Sequence, residues 1–433
     1  MVKKSKVKLV LKIILWILIV IILIPVIGFF ILCFIDPNPY RPNKIDNPNG
    51  YVQAVGTNLY DGEGNILRLE GVNLGDWFVQ EAWMASATVG DYDTSLYTQK
   101  RALEAMADNP NLTAEQIDEV ERLYIDNFIT EDDFKTISDL GMNTVRINFS
   151  YLNITTDGET IKENGFEKLD WAIEMCNKYN LYCVVDLHGA IGSQNQDIHS
   201  GDDSQWALYT TPEYREKTIN LWKRIATHFK DEKAVAGYDL LNEPRRAPGK
   251  YAGKINFDYY DELYDAVRSV DPNHMIFMEC FTFPIHGVNP RTYGWENVCY
   301  EYHIYNQTTL SQETTLYFYK VLHNLMDYDV PVYIGEFNAW DNLGDWQATL
   351  DFFEKLGWSY SSWTYKTNKY MYDIIPANKT RGSWGIFELN LKPVDLSTAT
   401  YEEIVNTYSQ VGTENAEPSY LYSFYKNYFA NRK

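Results

Sequence analysis

The chain has 433 residues, with 38 Lys and Arg, 59 Asp and Glu, and a net charge of −21. This acidic balance repels phosphate backbones and argues against a nucleic-acid-binding protein, while 45% apolar residues argue against a disordered chain. Aromatic residues make up 15% of the sequence, and Tyr and Trp offer flat apolar faces with a polar edge.

The amino-terminal segment is predicted to be a membrane anchor. Residues 13–35 carry no charge, and about 20 apolar residues suffice to cross a bilayer. A cleaved signal peptide is the alternative, but its apolar region is usually about 7–15 residues long. Residues 1–12 hold five lysines and no acid, which predicts a cytoplasmic basic tail. The expected localisation is therefore a single-pass cell-membrane protein with an extracellular catalytic domain of charge −26.

A stalk is predicted to follow the anchor, because residues 36–50 contain four prolines and no apolar periodicity. Cysteines are too few beyond it for a disulfide scaffold. Both buried thiols and pairing outside the cell stay open for Cys176, Cys183, Cys280 and Cys299.

Residues 51–433 are predicted to form one catalytic domain in which strands alternate with helices. Thr130 is expected to begin a helix that Gly141 ends, and Pro212 suits the first position of another. The eight candidate strands are 66–75, 143–150, 182–189, 234–243, 274–280, 298–305, 331–338 and 358–366. Eight such units predict an α/β fold, a (β/α)8 TIM barrel. A doubly wound open sheet is the structural alternative.

Functional side chains of a barrel gather at the carboxyl ends of its strands. The candidates there are Asn73, Arg146, His188, Asn242, Glu243, Glu279, His303, Tyr305, Glu336 and Trp363. For a single residue such as Glu279, a solvated loop position or an interior ion pair is the alternative. Two carboxylates that face one cavity can cleave a glycosidic bond, if one is protonated by a raised pKa and the other is ionised. Glu243 and Glu336 suit these roles, and His303 and Tyr305 share a strand face from which they could orient a carboxylate.

In this order the residues resemble glycoside hydrolase family 5, whose members are retaining β-glycosidases on (β/α)8 barrels. The resemblance rests on Arg146, His188, Asn242-Glu243-Pro244, His303-x-Tyr305, Glu336 and Trp363. It implies that Glu336 is the nucleophile and Glu243 the acid/base of a double displacement. It also implies substrate-binding or orienting roles for the remaining residues, with Asn242 at the 2-hydroxyl and Trp363 beneath the reacting sugar.

Within the family, the chain looks most similar to the exo-β-1,3-glucanases, through residues 71–77, 128–134 and 186–195. This likeness implies that Glu81 holds hydroxyls of the terminal sugar. Asp197 and Thr308 stand where those enzymes carry the aromatics of an entrance clamp, and Phe337 stands where a Trp is usual. The preferred linkage therefore stays open.

The leading hypothesis is a retaining β-glycosidase that hydrolyses β-glucans or β-glucosides. An endo-β-1,4-glucanase, a glycolipid β-glucosidase, a catalytically silent glycan receptor and a transmembrane scaffold are the alternatives. The sequence contains no HExxH, paired CxxC, GxSxG, Walker or dinucleotide motif, so no cofactor or metal is expected, although His188 and His303 could bind an ion. The expected partners are a β-linked glucan and the lipid bilayer, not nucleic acid, for a monomeric catalytic domain.

Overall fold

The computed structural model describes residues 42–90, 97–247, 249–250, 252–280, 283–306, 310–340, 342–374 and 384–432, together with seven separate positions between residues 16 and 28. Within these residues, eight parallel strands close into a barrel. They are β1 (Glu70–Asn73), β2 (Thr144–Ser150), β3 (Tyr182–Gly189), β4 (Val235–Asp239), β5 (Met275–Glu279), β6 (Val298–Tyr305), β7 (Val332–Asn338) and β8 (Ser359–Ser362). Each strand pairs with the next along the chain, and β8 pairs with β1.

The predicted TIM barrel is confirmed, and the open doubly wound sheet is wrong because β8 closes on β1. Three candidate strands are shorter than predicted. The first divides into Ile66–Leu67 and β1, and the last ends at Ser362. The fourth ends at Asp239, beyond which Glu243 adopts a left-handed backbone with φ 42°. That turn takes the chain out of the sheet and places the Glu243 side chain at the barrel mouth.

Helices cover the outside of the barrel, and their ends follow ordinary capping chemistry. Thr130 and Asp133 form a capping box at the start of the helix Glu131–Leu140, and Gly141 ends it with φ 99°. Pro212 opens the helix Pro212–Phe229, as predicted. The other described helices are Gln99–Asp108, Ala114–Phe128, Tyr151–Ile154, Glu167–Tyr179, Ala252–Arg268, Gln312–Met326, Leu343–Leu356, Lys369–Ile374, Tyr401–Tyr408 and Tyr420–Ala430.

Short strands and 3-10 turns lie at both ends of the barrel. Gln53–Val55, Asn58–Tyr60 and Ile66–Leu67 form an antiparallel sheet, which we call the amino-terminal sheet. Ala87–Thr88 pairs with Val394–Asp395, and Lys366–Asn368, Phe387–Leu389 and Glu417–Pro418 form a third small sheet. Single 3-10 turns occur at Ile198–Ser200, Pro284–His286, Pro290–Thr292 and Thr413–Asn415.

The amino-terminal sheet packs against the end of the barrel where the strands begin. The Ala54 amide donates to Asn297 Oδ1 at 2.8 Å, just before β6. The Tyr51 ring lies 4.9 Å from the ring of His274, just before β5, and its hydroxyl donates to the Lys230 carbonyl at 3.1 Å. The chain therefore enters the barrel at the end opposite to the strand-end residues.

Among the described residues, no helix combines the length and hydropathy needed to cross a bilayer. The predicted anchor at residues 13–35 falls mostly outside the described residues, as do the predicted tail at 1–12 and the first part of the predicted stalk. These three segments stay predictions. The four cysteines beyond the anchor are buried free thiols.

Candidate active site

Glu336, the candidate nucleophile, lies where three strand ends meet. Arg146 Nη1 from β2 lies 3.1 Å from Glu336 Oε1, and the Tyr305 hydroxyl at the end of β6 donates to Glu336 Oε2 at 2.7 Å. The Glu336 side chain is only 7% exposed. Both donors complement a negative charge on this carboxylate, the form that can attack a carbon atom.

Arg146 is the buried cation around which the site is built. Its Nε and Nη2 donate to Asp239 Oδ2 at 3.0 and 2.7 Å, and Nη2 also donates to Asn242 Oδ1 at 2.9 Å. Asp186 and Glu301 lie 3.2 and 3.4 Å away. Burial alone lowers the pKa of Arg146, but these carboxylates outweigh burial and raise it above its usual value. The guanidinium is thus fixed by charge-assisted bonds from several strands.

Glu243, the candidate acid/base, is held on both of its oxygens by imidazoles. His303 Nδ1 lies 2.8 Å from Glu243 Oε1, and His199 Nε2 lies 3.2 Å from Glu243 Oε2. The Glu243 amide donates to Glu279 Oε2, which secures the left-handed turn. An oxygen of Glu243, an oxygen of Glu336 and a nitrogen of His303 all lie within 4.8 Å of one another. The two carboxyl groups therefore face each other at short range.

The pKa values in this cluster shift in opposite directions, down for Glu243 and up for the two imidazoles beside it. Burial raises the pKa of Glu243, but the charge of His199 and the hydrogen bond from His303 outweigh burial and hold that pKa below its usual value. Burial lowers the pKa of His303, whereas Glu279 and Glu336 raise it well above its usual value. Glu243 also raises the pKa of His199, against the effect of burial. The raised pKa expected of the acid is therefore not found, because His199 adds a second positive charge beside Glu243.

Two buried carboxyls lie behind His303. Its Nε2 is 3.3 Å from Glu301 Oε1 and 3.8 Å from Glu279 Oε2. Burial, with repulsion from Asp239, raises the pKa of Glu301 to about 7. Burial raises the pKa of Glu279 well above its usual value, and the attraction of His303 does not offset this. Glu279 is therefore harder to ionise than an ordinary carboxyl, and it accepts from the peptide of Glu243.

His188 and Asn242 form a fixed pair beside the two carboxylates. His188 Nδ1 lies 2.7 Å from Asp186 Oδ2, and Asn242 Nδ2 lies 3.4 Å from His188 Nε2. Burial holds the pKa of His188 well below its usual value, so the neutral ring donates from Nδ1 to Asp186 and accepts at Nε2. This arrangement sets the orientation of the Asn242 amide.

One side of the site is an aromatic wall formed by Trp83, Tyr305, Trp340, Trp363 and Trp384. The Trp384 ring lies 4.4 Å from Trp83, 4.6 Å from Trp340 and 6.0 Å from Tyr305, as ring-centroid distances. Trp363 packs in the same cluster. Flat rings around a polar floor suit the apolar faces of a sugar ring.

Glu81 is attached to this wall. Trp83 Nε1 donates to Glu81 Oε2 at 2.6 Å, and the Glu81 amide donates to Asp76 Oδ1 at 2.9 Å. Burial raises the pKa of Glu81 to about 7, and repulsion from Glu336 adds to the effect of burial, against the charge of His199. Glu81 can therefore both donate and accept a hydrogen bond near neutral pH.

A cavity of about 510 Å³ opens on the other side of Glu243, and we call it the leaving-group cavity. At its rim Arg245 pairs with Asp197 at 2.6 Å, one of the two positions where the related glucanases carry a clamp aromatic. The other, Thr308, lies outside the described residues. The cavity is lined by Asp197, Glu243, Pro244, Arg245, Arg246, Glu279, Phe283, His286, His303, Tyr305, Asn306, Thr315 and Tyr319.

Glu243, His303 and Glu336 form a group of atoms that could hold a metal ion by spacing alone. The imidazole nitrogen already lies at hydrogen-bonding distance from Glu243, and Glu336 accepts from Arg146 and Tyr305. These bonds explain the close approach without an ion. The arrangement is a pair of carboxylates with the side chains that hydrogen-bond to them.

The structure brings every candidate site residue to one place. These residues are Glu81, Arg146, His188, Asn242, Glu243, His303, Tyr305, Glu336 and Trp363. Phe337 instead turns inward, with its ring 5.3 Å from Trp346 and 5.2 Å from Phe353. Sequence reasoning missed His199, although it follows the loop motif that ends at Asn195. It also missed Trp384, for which no local signal exists.

Comparison with known proteins agrees with the barrel fold. The family model described as cellulase (glycosyl hydrolase family 5) matches residues 106–369. A beta-xylosidase of Phanerodontia chrysosporium is 31% identical over 261 residues, which is 59% of this chain and 52% of that protein. A probable glucan 1,3-beta-glucosidase A of Aspergillus fumigatus is 32% identical over 216 residues, covering 48% of this chain and 49% of that protein.

The chain thus spans about half the length of the curated relatives it matches. Among solved structures, the beta-glucanase SdGluc5_26A from Saccharophagus degradans in complex with cellotetraose shares the fold. Its TM-score is 0.53 at 15% identity, over 91% of this chain and 98% of that one. From its family match and its closed barrel, the chain belongs to glycosyl hydrolase family 5.

Proposed function

We propose that this protein is a retaining β-glycosidase in which Glu336 attacks the anomeric carbon and Glu243 is the acid/base. The short separation of the two carboxyl groups, with atoms within 4.8 Å, carries the proposal. Retaining enzymes hold these groups about 5–5.5 Å apart, whereas inverting enzymes separate them by about 6.5–9.5 Å to admit a water. The name of the glucan 1,3-beta-glucosidase relative supports a β-linked glucan or glucoside as substrate.

In the first step Glu336 would form a bond to the anomeric carbon while Glu243 gives a proton to the departing oxygen. A water then adds to that carbon, Glu243 takes its proton, and the bond to Glu336 breaks. The imidazolium of His303, whose Nδ1 lies 2.8 Å from Glu243 Oε1, supplies the proton that Glu243 needs at the start. Asn242 lies beside both carboxylates and suits a contact with the 2-hydroxyl, and Trp363 suits stacking beneath the ring.

The test is the pair of substitutions Glu336→Gln and Glu243→Gln. Glu336→Gln should lower kcat by about 10⁴-fold or more on an aryl β-glucoside, because no other group can form the covalent intermediate. Glu174→Gln, the same change at an exposed helix position, should leave kcat unchanged. Proton NMR of the first product should show the β-anomer. Near-normal rates for Glu336→Gln, or release of the α-anomer, would reject the mechanism.

We also propose that cleavage occurs from the chain end. The aromatic wall and Glu81, which accepts a hydrogen bond from Trp83, support this proposal because they offer ring faces and a carboxyl group to a terminal sugar. Laminari- and cello-oligosaccharides should each release single sugars, detected by chromatography at early times. Internal cuts would favour the endo-β-1,4-glucanase alternative. Full binding without hydrolysis would favour the silent receptor.

The membrane anchor remains part of the proposal. The full chain should sediment with membranes and resist extraction by high salt. Residues 42–433 alone should stay in the supernatant. If the full chain and residues 42–433 distribute equally between membranes and supernatant, the anchor is rejected.

A further inference from the structure

Exposed apolar side chains concentrate around one helix beside the active site. Among the described residues from 42 onward, the strongly exposed large apolar side chains are Val55, Ile66, Ile285, Leu310, Phe318, Leu325 and Leu343. Phe318 and Leu325 belong to the helix Gln312–Met326, and Leu310 lies two residues before it. Ile285 and Leu343 belong to Pro284–His286 and Leu343–Leu356, two segments that contact this helix. Such clustering differs from the single scattered apolar residues of an ordinary surface.

On the helix itself the apolar residues share a face. Thr315, Phe318, Leu322 and Leu325 recur at the spacing of one helical side. Phe318 is 40% and Leu325 is 57% exposed. From Thr315 to Leu325 the helix rises about 15 Å. We call Ile285, Phe318, Leu322 and Leu325 the apolar surface.

This apolar surface continues from the leaving-group cavity. Thr315 and Tyr319 of the same helix line that cavity, as does Phe283. The Phe283 ring lies 6.0 Å from Phe318 and 5.6 Å from Tyr319, as ring-centroid distances. A molecule that leaves the cavity along Phe283 therefore reaches Phe318 directly.

The lining changes from polar to apolar along this path. His303 lies 2.8 Å from Glu243, whereas Phe283 and Tyr319 at the cavity lining contact each other and Phe283 contacts the exposed Phe318. A leaving group that matches this order has a polar end at the glycosidic oxygen and an apolar tail. A plain glucan has hydroxyls along its whole length and leaves the apolar surface unused.

We propose that the leaving-group side of this enzyme takes an alkyl chain, so that β-glycosides with an amphiphilic, long-chain leaving group are substrates. The inference rests on the proposed β-glycosidase function and names a substrate class for the same site. A run of about 15 Å matches an extended chain of roughly 12 methylenes better than a compact aglycone.

The experiment compares methyl, octyl and dodecyl β-glucosides below their micelle-forming concentrations. The value of kcat/KM should rise about tenfold or more from methyl to octyl, because each buried methylene favours binding. Phe318→Ser and Leu325→Gln change exposed side chains, and each should reduce the octyl-to-methyl ratio at least threefold. The matched control is Ile66→Gln, an exposed apolar residue of the amino-terminal sheet, which should leave the ratio unchanged.

A flat chain-length series, or a ratio that Phe318→Ser does not change, would overturn the inference. The inference would also be overturned if sedimentation showed that the protein dimerises through Phe318 and that the chain-length preference is lost with the dimer. If no β-glucoside is hydrolysed, calorimetry of octyl β-thioglucoside binding to the intact protein tests the apolar surface independently of the proposed function. Binding weakened by Phe318→Ser would keep the apolar surface and reject the proposed function. Equal binding by both forms would reject the apolar surface as well.

Discussion

At the scale of single residues, His199 is the side chain that most changes the expected chemistry. It holds Glu243 Oε2 at 3.2 Å while His303 holds Oε1. Its positive charge is the strongest influence that opposes burial and lowers the pKa of Glu243. An acid with a lowered pKa gives up its proton too early, so His199 sets the upper pH limit of the acid step.

His199→Asn should therefore move the basic limb of the kcat/KM profile to higher pH. Removing the cation raises the pKa of Glu243, and the protonated acid then persists to a higher pH, by about one unit. His199→Gln should behave in the same way, and His228→Asn at a surface ion pair should leave the profile unchanged. A limb that moves to lower pH would show that His199 is instead the required proton source.

Glu279→Gln should be tolerated much better than Glu279→Ala. Burial raises the pKa of the Glu279 carboxyl, and an amide of the same shape can still accept from the Glu243 peptide. Alanine leaves that buried N–H without a partner and opens a cavity, at a cost of about 2–3 kcal/mol in the free energy of unfolding. Urea unfolding at pH 7 measures both variants, and equal losses would contradict the role of Glu279 as acceptor for the Glu243 peptide.

The sequence was sufficient to predict the site residues at strand ends. It was insufficient to predict the site residues that lie on loops. Arg146, Glu243 and Glu336 could be predicted because a barrel brings strand ends together. His199 and Trp384 reach the site from loops whose course no local pattern determines. The lowered pKa of Glu243 follows from that tertiary approach, and so it could not be predicted either.

At the scale of elements, β7 packs closely against the buried acid Glu301. This packing fixes the position of Glu336, the proposed nucleophile, relative to that acid. A Cβ added at Gly335 would overlap Glu301 Oε1, one residue before Glu336. The group that approaches this glycine is the Glu301 carboxyl. The eight strands themselves were predictable from apolar runs, whereas their exact ends were not, because turns such as the one at Glu243 depend on tertiary bonds.

Gly335→Ala should abolish most activity and lower the free energy of unfolding by more than about 2 kcal/mol, because Glu301 has no space to move in the packed interior. Gly253→Ala is the matched control. It lies in the helix Ala252–Arg268 with nothing within 4 Å of an added Cβ, so it should stabilise the protein by about 0.5–1 kcal/mol. Thermal unfolding and kcat compare the two. A neutral Gly335→Ala would contradict the packing described.

At the scale of the whole molecule, the barrel concentrates acids that are harder to ionise than in the unfolded chain. Burial raises the pKa of Glu81 and Glu301 to about 7 and that of Asp186 and Asp239 to about 6. Between about pH 4 and 7 the folded state thus binds more protons than the unfolded state.

The free energy of unfolding should therefore fall as the pH rises from 5 to 8. The buried neutral His188 and His323 act in the opposite direction, since their pKa values are lowered, but they are fewer than the carboxyls. Urea titrations at both pH values measure the change, and Glu301→Gln should make the dependence shallower. Higher stability at pH 8 would contradict the buried-acid assignment.

The amino-terminal sheet has a consequence for geometry in the cell. It fastens the incoming chain to the end of the barrel where the strands begin, through Tyr51 and Ala54, and the catalytic carboxylates open at the other end. The proposed anchor would then attach at the end of the barrel where the strands begin. The end that carries Glu243 and Glu336 would face away from the lipid. Glycosides would then arrive from the surroundings of the cell rather than from the leaflet beneath, and a long-chain glycoside would arrive as a free molecule.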